Sequence, residues 1–361
     1  MGKRNQDTEK IARVRGRLLE WYEHSRRDLP WRRNRDPYAI WVSEIMLQQT
    51  RVAVVVERYQ AFMARFPTLK SLALAPEQEV LAAWSGLGYY RRARMLHKAA
   101  QFVVDHCQGN LPRTAAELRL LPGIGAYTAA AVASIAHGER VAVVDGNVER
   151  VLCRMEGWKA GDRAGGSSQV RHKIEKLAAM LVCPEHPGDS NQALMELGAT
   201  LCSPRNPRCE ECPVADDCKT QGEHPTAPRP KMLRREVAYA LSVRNGRKAG
   251  EAHREVLLEQ RPAQLTVMPG LWELPALIEA NVPEKELRLS VRHAIMQVNY
   301  SVRIRTVCED DVDAMTVAGG VRRWVPLKDA GGMALTGLAR KVLTRLHLLT
   351  AIAPQTGDDV L

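Results

Sequence analysis

Apolar residues recur at helical spacing through most of the first 220 residues of the chain. A repeat of three to four residues indicates a helix with one buried face. Proline and glycine interrupt the repeat in "FPTLK", "SGLGYY", "LPGIG" and "HPGDS", which marks turns between helices. The pattern therefore predicts a part that is helical almost throughout. The predicted helices lie in the stretches 11–24, 38–66, 115–121, 127–138, 147–155 and 172–182.

The pattern changes after Cys218. Residues 219–235, "KTQGEHPTAPRPKMLRR", are polar, basic and rich in proline, which is typical of a linker. Beyond them, apolar and polar residues alternate in the stretches 236–245, 254–261 and 300–309. Alternation of this kind predicts strands. We therefore expect a helical domain followed by a smaller α/β domain.

The composition favours a globular protein with a polyanionic partner. Hydrophobic residues make up 45% of the 361 residues, which excludes a chain that is disordered by composition. The net charge of +11 suits a nucleic acid, although many ordinary proteins share such a balance. No stretch approaches the roughly 20 apolar residues of a membrane span, and the polar N-terminal residues do not form a signal peptide. We expect a cytoplasmic protein without membrane attachment, whose thiols stay reduced.

Four of the eight cysteines lie between residues 202 and 218, in a segment too short and too polar to bury a core. In a reducing compartment, such a cluster is more typical of metal ligands than of disulfides. The candidate ligands are Cys202, Cys209, Cys212 and Cys218. Thiolates are soft ligands that suit both zinc and iron–sulfur clusters, so the residue types leave the metal open.

Two carboxylates in the helical part are candidates for catalysis. Glu44 interrupts the apolar run "WVSEIMLQQT". A carboxyl held among apolar neighbours has a raised pKa and can act as a general acid, whereas an exposed helical glutamate would have no such role. Asp145 follows the apolar run "VAVV" and precedes a helix, which indicates a helix N-cap. A carboxylate in that position can also face a developing cation.

Two turns that contain glycine are candidates for nucleic-acid contacts. "LPGIG" joins two apolar helices and can expose backbone N–H groups to a phosphate, although a plain turn would have the same sequence. "GLGYYRRAR" combines paired tyrosines with basic residues, which suits base stacking and phosphate contacts. The alternative for this second turn is a core aromatic followed by a solvated basic face.

Together, these motifs resemble the helix–hairpin–helix DNA glycosylase superfamily, which includes endonuclease III. The cysteine spacing is similar to that of the superfamily's [4Fe–4S] loop, and this resemblance favours iron over zinc. Within the superfamily, residues 10–350 resemble the MutY-type adenine DNA glycosylases. The motifs that carry the resemblance are "LPWRR", "PYAIWVSEIMLQQTRV", "GLGYYRRAR", "LPGIGAYTAAAV", "VDGNVERV", "NQALMELGA" and "GLWELP". These family members excise adenine that is mispaired with 8-oxoguanine or guanine in double-stranded DNA.

The resemblance implies a mainly α fold with a helical glycosylase domain in residues 1–220. This domain would contain a six-helix barrel and an iron–sulfur module, and a linker would connect it to a Nudix-like α/β domain that recognises the lesion. The implied bounds are 31–139 for the barrel, 9–30 and 140–220 for the module, 221–235 for the linker and 236–361 for the Nudix-like domain. A monomer associated with DNA in the cytoplasmic nucleoid is the expected form.

The roles of individual residues also follow from the resemblance. Glu44 would protonate adenine N7, and Asp145 would stabilise the oxocarbenium-like sugar that remains, with support from Tyr127 and Asn147. The residues that would line the adenine pocket are Trp31, Arg32, Val52 and Gln192. The residues that would bind DNA or fill the space left in the base stack are Gln49, Thr50, Leu87, Tyr89, Gly123 and Gly125.

One residue distinguishes this chain from relatives that also cleave the DNA strand. Bifunctional members of the superfamily carry a lysine two residues after the second hairpin glycine, which forms a Schiff base with the sugar. Here that residue is Tyr127, so we expect a monofunctional glycosylase rather than an endonuclease-III-like lyase. A DNA-binding or redox-sensing protein without catalysis is the other alternative, and the presence of Glu44 and Asp145 argues against it.

The C-terminal part departs from related sequences in two places. "MPGLWELP" resembles the start of a Nudix motif, and a long hydrolase signature rich in arginine and paired glutamates should follow it. "ALIEANVPEKELRLS" does not supply that signature, so nucleotide hydrolysis is not expected. In the family, a Phe-Ser-His loop shortly after a histidine senses 8-oxoguanine. Here His293 is present, but Ile295, Met296 and Gln297 occupy the positions of that loop. The sequence therefore predicts adenine excision with a weaker preference for 8-oxoguanine.

Overall fold

The computed structural model describes residues 2–158, 168–224, 231–246, 254–317 and 319–349. These residues form two compact units, each built from more than one segment of the chain. The first unit contains the described residues of Met1–Gln49, Thr68–Ala73 and Lys98–Pro228. The second unit contains the described residues of Thr50–Pro67, Leu74–His97 and Arg229–Leu361.

Helices account for most of the chain up to Thr200. Their bounds are α1 (Gly2–Ser25), α2 (Pro37–Leu47), α3 (Val52–Arg65), α4 (Leu69–Leu74), α5 (Glu77–Ala83), α6 (Arg91–His106), α7 (Ala115–Leu118), α8 (Ala126–His137), α9 (Gly146–Glu156), α10 (Ser168–Leu181) and α11 (Pro187–Thr200). The prediction of a mainly helical part is confirmed. The predicted helix 38–66 is in fact two helices, because Gln49 has a φ of 57°, which a right-handed helix cannot contain. The predicted helix 115–121 is a single turn, α7.

The main core of the first unit lies between α1, α9, α10 and α11. Its almost fully buried side chains include Val14, Leu18, Leu152, Leu181 and Leu197. Each buried leucine contributes roughly 1.5–3 kcal/mol, so this core is a main source of stability for the unit. Helix α8 packs on both α2 and α11, and its alanine-rich sequence allows the backbones to approach closely.

The second unit contains two small sheets. The strands are β1 (Leu233–Leu241), β2 (Val243–Asn245), β3 (Arg254–Gln260), β4 (Trp272–Glu273), β5 (Leu287–Ile295), β6 (Val298–Thr306) and β7 (Val321–Pro326), and the helices that follow β6 are α12 (Val312–Met315), α13 (Leu327–Ala330) and α14 (Gly337–Arg345). In one sheet, β6 is parallel to β1 and antiparallel to β5. In the other, β3 is antiparallel to β2, β4 and β7. Side chains from both sheets and from α14 share one core, which includes Val256, Val302 and Val342.

These strands confirm the predicted α/β character of the C-terminal part, and the predicted stretches 236–245, 254–261 and 300–309 all contain strands. β5 and β7 were not among the predictions. Each of them has one fully buried residue, Val291 and Val325, so their apolar signal is weak.

The division of the chain into domains stays a prediction. β1 begins at Leu233, inside the predicted linker 221–235, and residues 225–230 of that linker lie outside the described residues. Helices α3 and α5 belong to the second unit together with the C-terminal sheets. Among the helices that the structure describes, none has both the length and the apolar character needed to cross a membrane.

Candidate active site

Glu44 lies in the middle of α2 and is only 5% exposed. Tyr127 Oη, from the start of α8, donates a hydrogen bond of 2.6 Å to Glu44 Oε2. Burial raises the pKa of Glu44 to about 6; the hydrogen bond from Tyr127 opposes this rise, and the nearby charge of Asp145 adds to it. Glu44 can therefore hold or release a proton near neutral pH, as a general acid must.

Tyr127 fixes the direction of the Glu44 carboxyl. Burial and the adjacent carboxylate raise the pKa of Tyr127 well above 10, so its hydroxyl stays protonated and remains a donor. The same oxygen lies 3.5 Å from Met195 Sδ of α11, which limits the rotation of the hydroxyl. The close packing of α2 and α8 is what brings the two side chains together.

Asp145 is the N-cap of α9, as the sequence indicated. Its Oδ1 accepts hydrogen bonds from the backbone N–H groups of Asn147 (2.9 Å) and Val148 (2.7 Å). Its Oδ2 accepts a third bond of 3.0 Å from the side-chain amide of Asn147. Three donors stabilise the carboxylate and hold it in one orientation at the positive end of the helix dipole.

Arg150 joins Asn147 to the end of α11. Its Nη2 donates to Asn147 Oδ1 at 2.9 Å and to the carbonyl oxygen of Gly198 at 2.6 Å. Its Nε donates to the carbonyl oxygen of Cys202 at 2.8 Å. A Cβ atom on Gly198 would lie 2.7 Å from Asn147 Cβ, a separation that real Cβ atoms do not show. Residue 198 must therefore be glycine if α11 is to approach α9 this closely.

The cysteine loop follows α11 and is supported by α9. Arg154 donates to the carbonyl oxygens of Ser203 (2.7 Å) and Pro204 (3.1 Å) and lies 3.3 Å from Cys202 Sγ. Val214 anchors the loop in the main core of the first unit. The loop itself contains two short 3-10 turns, Cys209–Glu211 and Ala215–Asp217.

The four thiols of this loop are free and fit a polynuclear cluster. Burial and the neighbouring thiolates raise the pKa of Cys212 to about 11, so the thiols can ionise together only beside a cation. Four soft thiolates on one short loop suit an iron–sulfur cluster, in which each cysteine binds a different iron.

A buried ion-pair network connects α11 to the segment before α2. Glu196 is completely buried and accepts hydrogen bonds from Arg32 Nη2 (2.8 Å) and from Arg27 Nε and Nη2 (2.6 and 2.7 Å). Burial would raise the pKa of Glu196, but the two guanidinium groups outweigh it and lower the pKa to about 2. Trp31, beside Arg32, is also buried, and Gln192 lies half-buried one turn earlier on α11.

Glu196 was missed by the sequence reasoning, although the signal that identified Glu44 was present. Both glutamates interrupt an apolar run, here "NQALMELGA". Local sequence cannot show that its partners are Arg27 and Arg32, because they lie more than 160 positions away.

The hairpin between α7 and α8 exposes its glycines, while its apolar side chains are buried. Leu121 and Ile124 are buried, whereas Gly123 and Gly125 are exposed. Gly123 has a φ of 77°, a conformation that favours glycine. Gly125 is the N-cap of α8, so the first N–H groups of that helix have no acceptor within it. This geometry suits a phosphate at the helix N-terminus.

The remaining candidate DNA contacts differ in exposure. Gln49 is exposed and Tyr89 is 50% exposed, and both have a left-handed backbone, with φ values of 57° and 46°. Side chains held in that conformation are frequent at functional sites. Leu87 is only 4% exposed, so it would have to leave its position to contact DNA. Thr50 and Val52, at the start of α3, are partly buried.

Arg92 supports the segment Trp84–Tyr90, which we call the tyrosine loop. Its Nη2 donates to the carbonyl oxygens of Leu87 (3.0 Å) and Gly88 (3.1 Å) and to Thr50 Oγ1 (3.0 Å). Its guanidinium also lies over the rings of Trp84 and Tyr89, at 5.5 and 5.6 Å. Burial lowers the pKa of Arg92 to about 10. Arg92 therefore holds the loop from inside, which the hypothesis of a solvated basic face did not foresee.

Comparison with known proteins identifies the family. Residues 42–180 match the HhH-GPD superfamily of base excision DNA repair proteins, and residues 202–218 match the iron–sulfur binding domain of endonuclease III. The chain is 49% identical to the adenine DNA glycosylase of Homo sapiens over 224 residues, which are 60% of this chain and 40% of that protein. It is 39% identical to the adenine DNA glycosylase of Arabidopsis thaliana over 341 residues, which are 82% of this chain and 52% of that protein. The chain spans about half the length of these curated relatives.

Solved structures agree on the helical part. A thermostable thymine-DNA glycosylase is 31% identical, with a TM-score of 0.53, and the alignment covers 59% of this chain and 97% of that chain. A trapped endonuclease III–DNA covalent intermediate, 24% identical with a TM-score of 0.50, covers 59% and 96% and shows the same fold. The fold and the cysteine loop thus define a helix–hairpin–helix repair protein with an iron–sulfur domain. The chain belongs to the HhH-GPD superfamily of base excision DNA repair proteins, and the curated relatives named above are adenine DNA glycosylases. Its cofactor is a [4Fe–4S] cluster on Cys202, Cys209, Cys212 and Cys218.

Proposed function

We propose that the protein is a monofunctional adenine DNA glycosylase, which excises adenine mispaired with 8-oxoguanine or guanine from double-stranded DNA. The observation that supports this most is the buried carboxyl of Glu44, with a pKa of about 6 and a bond to Tyr127. The ionic influence of Asp145 on this carboxyl indicates that the two groups share one site. A neutral acid beside an anionic carboxylate is the pair that cleaves glycosidic bonds. The adenine DNA glycosylases among the relatives support adenine as the substrate base.

Adenine must first leave the base stack, which costs a few kcal/mol. We propose that Gln49 and Tyr89 occupy the vacated space, since both are exposed. The free N–H groups near Gly123 and Gly125 would bind the DNA backbone through a phosphate. Trp31, Arg32, Val52 and Gln192 would line the pocket for the extruded base, and Thr50 and Leu87 would adjoin the DNA.

In the chemical step, Glu44 gives its proton to adenine N7. The C1′–N9 bond then breaks, and its electron pair leaves with the base, which departs without a negative charge. The sugar becomes an oxocarbenium-like cation, which the Asp145 carboxylate stabilises or captures. Water then adds to C1′, displacing Asp145 if it is bound there, and gives its proton to the Glu44 carboxylate, which restores both groups. Asn147 keeps that carboxylate in place, and Tyr127 does the same for Glu44.

The product is an intact abasic site. The position from which a lysine would attack the sugar holds Tyr127, whose hydroxyl stays protonated and bonded to Glu44. A phenol has no amine nitrogen, so it cannot form a Schiff base. Strand cleavage by this chain is therefore not part of the proposal.

By the resemblance to MutY-type relatives, the hairpin between β5 and β6 would correspond to the Phe-Ser-His loop that senses 8-oxoguanine. Ile295 pairs with Val298, so Met296 and Gln297 form its two-residue turn, and Met296 is 72% exposed with a φ of 53°. Ile295 and Met296 carry no side-chain hydrogen-bond donor. We propose that the loss of one or two lesion contacts, worth about 1–3 kcal/mol, weakens the preference for 8-oxoguanine about ten- to a hundredfold.

The protein would act as a monomer on chromosomal DNA, in the cytoplasm and at the nucleoid. The helical glycosylase domain 1–220 would carry the chemistry, and the Nudix-like domain 236–361 would contact the base opposite adenine.

The decisive experiment uses a duplex with a single A:8-oxoguanine pair, incubated with the iron-loaded protein and then treated with or without alkali. A monofunctional glycosylase gives strand breaks only after alkali. Breaks without alkali would indicate a lyase, and no breaks in either sample would leave a DNA-binding protein. A duplex with an A:T pair is the substrate control.

A further inference from the structure

The tyrosine loop Trp84–Tyr90 is bonded to the α14 region of the same unit. Arg340 Nε of α14 donates to Ser85 Oγ at 2.7 Å. Tyr90 Oη donates to the carbonyl oxygen of Leu335, just before α14, at 3.0 Å. Ser85 and Tyr90 are almost fully buried, at 1% and 4% exposure, so water does not compete strongly for these bonds. Both ends of the loop are thus hydrogen-bonded to α14 or to the residue Leu335 that precedes it.

Arg340 is fixed by other bonds of its own. Its Nη2 donates to the carbonyl oxygens of Gly331 (3.0 Å) and Met333 (3.4 Å). The first turn of α14 is capped by Thr336, whose side chain accepts a bond of 3.1 Å from the N–H of Ala339. A planar guanidinium with its far nitrogen bonded has little freedom at Nε. The bond to Ser85 is therefore set by the helix and not by a mobile side chain.

The same helix rests on β5, the strand that leads to the Met296–Gln297 turn. The ring of His293 lies 3.7 Å from the position that a Cβ atom would take on Gly337. Lys341 Nζ donates to the carbonyl oxygen of Arg292 at 2.7 Å. Positions 337 and 341 are one turn apart on one face of α14, and Arg340 lies beside them. α14 thus touches β5 and, through Arg340, the tyrosine loop.

We propose that Arg340 is a positioning residue for base flipping: it holds the tyrosine loop in the conformation that presents Tyr89 and couples this loop to β5 through α14. The proposal rests on the proposed function, since Tyr89 is the side chain expected to enter the base stack. The loop needs such support, because Tyr89 has a positive φ of 46°, which a tyrosine rarely adopts, and the two glycines before it restrain the backbone little. A loop in that conformation persists only when the surrounding bonds hold it.

The test compares Arg340→Ala and Ser85→Ala with Arg345→Ala, which removes an exposed arginine of the same helix. Base flipping is followed in the full-length, iron-loaded protein by the fluorescence of 2-aminopurine placed opposite 8-oxoguanine. Excision is measured in single turnovers on two substrates: a duplex with an A:8-oxoguanine pair, and a duplex with adenine in a one-nucleotide bulge, which is already unstacked. Melting temperatures report the fold.

We expect Arg340→Ala to slow both the fluorescence change and the excision from the mispair on the order of tenfold or more, the size of one lost charged hydrogen bond. Excision from the bulge should stay within about twofold of wild type, and Arg345→Ala should match wild type on both substrates. Ser85→Ala should slow the same two readouts, and the double variant should be no slower than Arg340→Ala, because the bond that Ser85→Ala removes is already absent from that variant.

Two results would overturn the inference. Arg340→Ala and Arg345→Ala could behave alike on the mispair, which would leave Arg340 without a role in flipping. An equal loss on the bulge would show that Arg340 acts on the chemistry or on the fold instead. If Arg340→Ala does not fold, Ser85→Ala, which removes one oxygen, decides alone. Failure of the proposed function is distinguishable, because the wild-type protein would then release adenine from neither substrate.

Discussion

Replacing Tyr127 by phenylalanine removes the hydroxyl that donates to Glu44 Oε2 at 2.6 Å. This bond stabilises the ionised carboxylate and so lowers the pKa of Glu44. Burial raises that pKa, and with both effects present it is about 6. A hydrogen bond to a charged group is worth about 1.5–3 kcal/mol, and one pKa unit corresponds to about 1.36 kcal/mol. The variant should therefore raise the pKa of Glu44 by about one to two units.

The consequence for activity has a definite sign. In the proposed mechanism, excision needs protonated Glu44, so the rate falls as the pH rises through the pKa of that group. A higher pKa moves this alkaline limb upward by about one to two pH units, even if the maximal rate drops because Glu44 is less well oriented. The assay measures the single-turnover rate on an A:8-oxoguanine duplex from pH 5 to pH 9. The result is the pH at which the rate falls to half of its maximum, and not the maximal rate.

The matched control is Tyr22→Phe. Tyr22 is buried in the first unit, and its hydroxyl has no hydrogen-bond partner among the described residues, so its removal breaks no such bond. The limb of this variant should stay where it is in the wild type. A Tyr127→Phe limb at or below the wild-type position would show that the phenol does not stabilise the Glu44 carboxylate, and the assignment of Glu44 as the acid would lose its main support.

Four further outcomes are expected. Glu44→Gln should keep duplex binding and lose 10²–10⁴-fold in single-turnover rate, and a loss below tenfold would place the acid elsewhere. Glu196→Gln should lower the free energy of unfolding by about 3–5 kcal/mol in denaturant titrations at pH 7, because it leaves two arginines without their buried partner. In the wild type, the stabilisation by the Glu196 carboxylate is present above pH 4.5 and is lost as the pH falls towards 2. Iron analysis should find about four irons per chain, and Cys209→Ala should lower both iron content and DNA affinity, whereas stoichiometric zinc would contradict the assignment. Grafting Phe-Ser-His at residues 295–297 should increase the ratio of rates on A:8-oxoguanine and A:G, and an unchanged ratio would mean that other residues already supply the contact.

The sequence predicted those parts of the site whose signal is local. Glu44 and Asp145 were identifiable because an acidic residue is unusual inside or just after an apolar run. That signal can be read from the few neighbouring residues alone. The four cysteines were identifiable by spacing, although spacing alone could not decide between zinc and iron. The break between α2 and α3 was missed, since the left-handed conformation of Gln49 is imposed by its surroundings and has no proline or glycine to mark it.

The remaining features depend on contacts between distant parts of the chain. Glu196 receives its two arginines across more than 160 positions, and Arg340 reaches Ser85 across 255. Arg92 looks in sequence like part of a basic surface, yet it is partly buried under the tyrosine loop, to which it donates hydrogen bonds. The burial of Leu87 is likewise a property of packing. A one-dimensional pattern reports which residues prefer the interior, but not which partners they find there.

The close approach of α11 to α9 at Gly198 has a consequence for inheritance. Every missense change in a glycine codon adds at least one carbon atom, and here that atom would meet Asn147, which holds Asp145. If the proposed function is right, such an allele would impair excision without altering any residue that touches DNA. Adenine left opposite 8-oxoguanine becomes a T:A pair at the next replication. Cells with this allele should therefore show a raised rate of G:C to T:A transversions, the spectrum expected from loss of the catalytic carboxylate itself.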